Sequence, residues 1–363
     1  MKVKLHNSHV LIGAKASTEH ALNLPLVPPE ESSFTINDKQ YVNYFCSSLK
    51  SNSSDSYANE DSLNENKVTR CIHLIKQLNL QVEQLGLSLP LDIPVFWILP
   101  EFTESFDNAI DASNTAINNE NTLAYFAKKL QQALPQLFNH PQSQLFPFGR
   151  AAFPIALAAA KTLFESEKAK TILFIAVDTL YHDVVNLITN NTLVSAKSEQ
   201  GIIPSEGIVV TQISPADTGI SIDFIQNSVA PSKQQNLAVT QLFTDSVHYF
   251  AENTEDNKQQ TAPDRLSHLY LPGNGNETLQ NAWLDSYYQL AGYVDDKTSI
   301  CQSALFTGEL GCVTGLYNFL HIVNSYKTKV VQGNVLQLEV SNALHQGVIL
   351  YSYDNQLHGV NHD

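Results

Sequence analysis

The chain's strongest nucleophiles are its four cysteines, Cys46, Cys71, Cys301 and Cys312. None forms a C-x-x-C, and no histidine stands near them at zinc-finger spacing. Structural zinc and a disulfide framework are therefore disfavoured, and reduced thiols fit better. Cys312, beside Gly311 and near an expected helix start, is the one placed to serve as a nucleophile. The plainer reading, a small buried hydrophobe in a glycine-rich turn, suits its neighbours better. His182-Asp183 could complete a Ser-His-Asp set with Ser205, but a surface loop accounts for the pair more simply. Gly273-x-Gly275 lacks the third glycine of a phosphate loop. Asn276-Glu277-Thr278 matches the N-glycosylation pattern, which carries no weight without a secretory signal. No metal site and no cofactor site emerge.

Any such residues need a frame to hold them. The chain has 363 residues, enough to bury a sizeable core in one large domain or two smaller ones. Its net charge of −15 follows from 21 basic and 36 acidic residues. The basic residues are scattered, so binding to nucleic acid or to an anionic membrane surface is disfavoured. Residues 1–14 show no signal-peptide pattern. The longest apolar runs are too short to span a bilayer. A soluble, cytoplasmic protein is expected.

Three polar stretches, residues 47–67, 107–121 and 253–263, read as loops or insertions. Short apolar runs at 94–99, 143–148, 171–177, 207–213, 268–271, 335–340 and 347–353 read as strands. Helical spacing or composition marks 122–137, 150–166, 277–290 and 311–325. Near-continuous apolar strands alternating with helices predict an α/β fold whose sheet is covered on both faces.

Several of these segments come as ordered motifs. Ala176-Val177-Asp178 ends a strand. Gly201-Ile202-Ile203-Pro204-Ser205-Glu206-Gly207 follows. Then come Leu271-Pro272-Gly273-Asn274-Gly275-Asn276 and Thr307-Gly308-Glu309-Leu310-Gly311-Cys312-Val313-Thr314-Gly315, with Ser341-Asn342-Ala343 near the end. In this order they resemble the "GGxD", "GFxPGEGA", "AHGTGT", "TGHxxGAAG" and "NSFGFGGTN" motifs of the β-ketoacyl synthases, in the thiolase-like superfamily. The resemblance spans roughly residues 94 to 352 by motif order. It implies a five-layer α-β-α-β-α fold of two similar halves, residues 1–215 and 216–363. It also implies dimerisation through the strand just before the nucleophile helix.

The same resemblance locates the family's chemistry. Its nucleophile position falls on Arg150, within a residue or two, since the helix motif aligns on Ala156-Leu157. The first histidine falls on Pro272, the second on Glu309, and the supporting lysine on Ala304. None of the four can do the original job. Proline has no side-chain donor, an ionised glutamate only accepts, and arginine is not a nucleophile. A condensing site is thus lost. Two arrangements of Arg150 and Glu309 stay open: an ion pair filling the old pocket, or two side chains turned to solvent.

By resemblance, the chain implies a non-catalytic β-ketoacyl-synthase-like protein that binds another protein, as a homodimer. Some degenerate relatives of this kind accompany type VI secretion toxins, which implies an accessory or adaptor for a secreted effector. Two other expectations stand beside it. One is an acyltransferase working with an acyl carrier protein or coenzyme A, with Cys312 as fallback nucleophile. The other is an inactive partner subunit of an active ketosynthase. The acidic composition argues mildly against docking an acyl carrier protein, itself acidic.

Overall fold

A computed structural model describes residues 1–13, 17–23, 32–36, 39–46, 67–84, 92–101, 119–195, 200–255 and 265–354. The three polar stretches lie almost wholly outside these residues.

The first half of the chain runs β1 (Lys2–Ile12), α1 (Thr18–Leu22), β2 (Ser32–Ile36), β3 (Lys39–Asn43), α2 (Lys67–Gln84), β4 (Val95–Ile98), α3 (Asn119–Ala133), β5 (Gln144–Phe146), α4 (Ala152–Glu165), β6 (Ile172–Thr179), α5 (Val184–Thr189) and β7 (Glu206–Pro215). The second half runs β8 (Gly219–Val229), α6 (Gln235–Glu255), β9 (Leu266–Tyr270), α7 (Glu277–Leu284), β10 (Ser299–Cys301), α8 (Ala304–Thr307), α9 (Val313–Lys327), β11 (Asn334–Val340) and β12 (His345–Asp354).

Ten strands pair in the order β10-β9-β11-β12-β8-β1-β7-β6-β4-β5. Numbered by sequence within its own half, each set of five reads 3-2-4-5-1 from its outer edge. The directions repeat as well. β4 is parallel to β5 and β6, while β6–β7 and β7–β1 are antiparallel. β9 is likewise parallel to β10 and β11, while β11–β12 and β12–β8 are antiparallel. The halves join where β1 meets β8 through only two residue pairs, Lys2↔Ser221 and Val3↔Ile220.

Helices α4 and α9, one from each half, lie between the two five-strand units. A file of rings crosses this layer from sheet to sheet. Phe174 of β6 meets Phe153 of α4 at 6.2 Å, Phe153 meets Phe319 of α9 at 5.2 Å, and Phe319 meets Tyr351 of β12 at 5.6 Å. Gly315 permits the approach of the two helices, because a Cβ there would lie 2.9 Å from the Phe153 Cβ. Helices α2 and α3 cover the other face of the first unit, Phe126 of α3 joining Trp97 of β4 in its core; α6 and α7 cover the second, Phe243 and Trp283 joining Leu336 and Leu338 of β11. Along β6, Ile172, Phe174 and Ala176 face the centre while Leu173, Ile175 and Val177 face outward to α2 and α3. Its unbroken apolar run thus reflects burial on both faces. The fold is the five-layer α/β arrangement of two similar halves.

Differences from the sequence reading are local. The helix expected over 122–137 stops at Ala133 and continues as a 3-10 turn, Pro135–Phe138, since a proline cannot extend the α-helical hydrogen bonding. The one expected over 277–290 divides into α7 and the turn Tyr287–Leu290. Strands β1, β2, β3, β8 and β10 and helices α1, α2, α5, α6 and α8 have no counterpart among the expected elements.

Candidate functional site

Arg150 sits in a 3-10 turn, Gly149–Ala151, that feeds α4. Gly149 has φ 59°, a left-handed conformation suited to glycine. Glu309 lies in the turn between α8 and α9, flanked by Gly308 at φ 66° and Gly311 at φ 58°. Its own N–H donates to Ile203 O at 2.8 Å, tying this turn to the first half.

The two side chains meet. The Arg150 guanidinium engages both Glu309 oxygens, Nη2 with Oε2 and Nε with Oε1, the latter at 3.2 Å. Asn274 Nδ2 donates to Oε2 at 2.5 Å, and the Gly311 N–H to Oε1 at 2.7 Å. Arg150 is 7% and Glu309 5% exposed, so neither turns to solvent. Burial lowers the Arg150 guanidinium to about 10, against the opposing pull of Glu339 and Asp178. It is still a cation at neutral pH.

Arg150, Pro272, Ala304 and Glu309 line one pocket, together with Asn274 and Asn318. Its free space, counted out to the mouth, is about 260 Å³. Both Glu309 oxygens are spent on Arg150, Asn274 and the Gly311 N–H.

Cys312 does not line this pocket. It is fully buried; its N–H donates to Asp178 Oδ2 at 3.0 Å and its thiol to Val177 O at 3.3 Å. Burial pushes this thiol well above its ordinary value, with Asp178 adding to the effect. A buried neutral thiol is not a nucleophile. Among the four cysteines only Cys301 is part-exposed. Brief iodoacetamide treatment of the native protein is therefore expected to label Cys301 ahead of the others, as read by peptide mass spectrometry. Early labelling of Cys312 would restore it as a candidate.

A second buried cluster stands behind Asp178. Lys67 Nζ, at the start of α2, lies 3.0 Å from Asp178 Oδ1 and 3.6 Å from Asp183 Oδ2. One turn on, Arg70 forks onto Glu206, with Nε to Oε2 at 2.6 Å and Nη2 to Oε1 at 2.8 Å. Glu206 also accepts from the Cys46 N–H at 2.7 Å and the Thr179 hydroxyl at 2.9 Å. The Arg70 guanidinium lies 3.9 Å over the Tyr181 ring. Burial raises the Asp183 carboxyl, but Lys67 and His182 outweigh it and hold it down at about 2. Asp178 and Glu206 belong to motifs read in the sequence. Their basic partners were missed because α2 was not expected, although Val68, Cys71, Leu74, Ile75 and Leu78 repeat at helical spacing.

The surface-loop reading of His182-Asp183 is corrected here. The His182 ring is buried, its Nε2 lies 3.1 Å from Asp183 Oδ1, and burial lowers its pKa, so it stays neutral. No Ser-His-Asp set forms, since Ser205 Oγ donates to Tyr44 O at 3.1 Å. Among the described residues, no group of three or more His, Cys, Asp or Glu side chains could hold a metal ion. No described helix is long and apolar enough to cross a membrane.

No protein-family profile matches the sequence, and no curated protein matches it. Solved structures do match. The ishigamide ketosynthase/chain length factor aligns over 97% of this chain and 99% of its own, with a TM-score of 0.62 and 11% identity. The ketosynthase ApeO in complex with its chain length factor ApeC, from Xenorhabdus doucetiae, aligns over 97% and 98%, with a TM-score of 0.59 and 11% identity. A ketosynthase from module 6 of the bacillaene synthase of Bacillus subtilis 168 aligns over 97% and 72%, with a TM-score of 0.58 and 11% identity. None of these is a secretion adaptor, so that expectation rests on the sequence resemblance alone. Identity this low speaks of architecture, and the repeated strand order around two central helices says the same: the chain has the thiolase-like fold of the β-ketoacyl synthases.

Proposed function

We propose that this chain is a non-catalytic ketosynthase-fold subunit that acts by binding a partner protein, as an inactive half does beside an active ketosynthase. One observation carries the reading: a buried Arg150–Glu309 ion pair stands where the resemblance places the nucleophile and the second histidine. Pro272 and Ala304, at the first-histidine and lysine positions, line the same pocket. The likeness to structures of ketosynthases and chain length factors supports a partner of that class over a secretion effector. Residues 1–215 and 216–363 are taken as the two halves, because β7 ends at Pro215. A partner strand could extend the sheet at β5, one of its two terminal strands, just before Arg150. A second copy of this chain could use the same edge.

The test has two parts. Purified protein is incubated with acetyl- and malonyl-coenzyme A and with loaded acyl carrier protein, then weighed by intact mass spectrometry. No acyl adduct and no decarboxylation are expected; either would overturn the non-catalytic reading. Sedimentation of the chain alone and mixed with a ketosynthase encoded beside it then reads the partner. A 1:1 complex is expected, and self-association unchanged by the ketosynthase would favour the homodimer.

A further inference from the structure

A second carboxyl group is buried beside the ion pair. Glu339, on β11, is 1% exposed. Its Oε1 accepts from Asn318 Nδ2 of α9 at 3.0 Å and from Gln337 Nε2 at 2.8 Å. Gln337 is held in turn by the Tyr351 hydroxyl of β12, which donates to its Oε1 at 2.9 Å. The other oxygen, Glu339 Oε2, has no hydrogen-bond partner. Two nearby atoms share that condition, Arg150 Nη1 and Asn318 Oδ1. Gly315 lies between the Arg150 backbone and the Glu339 carboxyl. A Cβ on it would lie 3.2 Å from Arg150 O and 3.6 Å from Glu339 Cδ. Arg150 and Asn318 both line the pocket, and both are more than nine-tenths buried.

A buried polar group left unpaired destabilises the fold. Native proteins satisfy such groups with ordered water where space allows. The three atoms differ in kind: Arg150 Nη1 only donates, Asn318 Oδ1 only accepts, and a carboxyl oxygen does either according to its proton.

We propose that Arg150, Asn318 and Glu339 form a site for one water molecule, through which Glu339 exchanges a proton with the pocket. With Glu339 ionised, the water accepts from Arg150 and donates to Asn318 and Glu339. With Glu339 protonated, it accepts from Arg150 and from the carboxyl O–H, and donates to Asn318. Water completes both patterns. An anion has no donor for Asn318, and an ammonium has no acceptor for Arg150.

Both states are reached near neutral pH. Burial raises Glu339 to about 7, against the lowering effects of Gln337, Asn318 and Arg150. The groups facing it are Arg150 from the turn before α4, Asn318 from α9, Gln337 from its own strand and Tyr351 from β12, with Glu309 behind Arg150. An unfolded glutamate titrates near 4.3. Between the two values the folded chain holds the extra proton, so stability falls as pH rises through this window.

The experiment compares thermal unfolding of wild type and Glu339→Gln between about pH 5 and pH 8.5, either side of the Glu339 transition. The amide stays neutral throughout. Wild type is expected to lose stability relative to the variant as pH rises to about 7, the folded-state value, and the gap then levels off. A gap that does not change with pH overturns the proton site. Infrared difference spectra of wild type between about pH 6 and pH 8 give a readout free of the variant's folding, because ordinary carboxyls are already ionised there. A protonated-carboxyl band that disappears over this range is expected, and its absence overturns the proposal. A crystal structure should show one density peak within hydrogen-bond distance of all three atoms. A dry junction, with Arg150 turned directly onto Glu339, rejects the water.

Discussion

Replacing Glu309 by Gln lowers the free energy of unfolding by about 3–5 kcal/mol, the cost of stranding one member of a buried ion pair. The amide cannot neutralise Arg150, which is still charged and buried. It also accepts less well from the Asn274 amide and the Gly311 N–H that now converge on the carboxylate. Chemical denaturation reads the effect, provided the slope with denaturant is unchanged. The paired change Arg150→Met with Glu309→Leu should recover most of the loss, since apolar replacements of similar size often equal a buried pair in stability. A loss below about 1 kcal/mol for Glu309→Gln would match an exposed pair and not a buried one. It would also remove the main support for a blocked pocket.

Arg70→Met should cost a comparable amount, about 3–5 kcal/mol, for the mirror-image reason. Here the stranded charge is Glu206, which is fully buried at the start of β7. It keeps the Cys46 N–H and the Thr179 hydroxyl as donors but loses both prongs of the guanidinium. Arg70→Lys should restore only part, because an ammonium is a point charge and cannot grip both oxygens in one plane. If Arg70→Lys were as stable as wild type, the fork geometry would be irrelevant, and charge alone would hold α2 to the sheet.

Much of this architecture could be read before any coordinates. β6 announces itself as the apolar run 171–177, ended by Asp178. The motif order then placed Arg150, Pro272, Ala304 and Glu309, which lie far apart in the chain, around a single pocket. For β1, α2 and α6 the reason is physical. In β1 the alternation of Val3 and Leu5 is broken by a register shift between His6 and His9, where Asn7 takes φ 49°. The charged and polar residues therefore outvote the apolar ones. Helix α2 begins with Lys67, at the end of a polar stretch, and turns Lys67 and Arg70 inward to meet carboxylates that sequence distance hides. A charged residue normally marks the outer face of a helix, so the pattern misleads. The same inversion put His182-Asp183 on the surface. Helix α6 carries Thr, Ser, Gln and His among its apolar residues, and Thr240, Thr244 and Ser246 satisfy their hydroxyls on the preceding turn's carbonyls.

The pairing of β1 with β7 has a consequence for how the chain is made. Val10 lies opposite Val209, a separation of 209 − 10 = 199 residues. Ribosomes add about 5–20 residues per second, so this strand leaves the exit tunnel some ~10–40 s before its partner. During that interval Val3, Val10 and Ile12 have no sheet to join. Contacts this distant in sequence also slow folding once synthesis ends. The first strand of the sheet thus stays exposed until β7 emerges, and holdase depletion should lower the soluble yield of this chain.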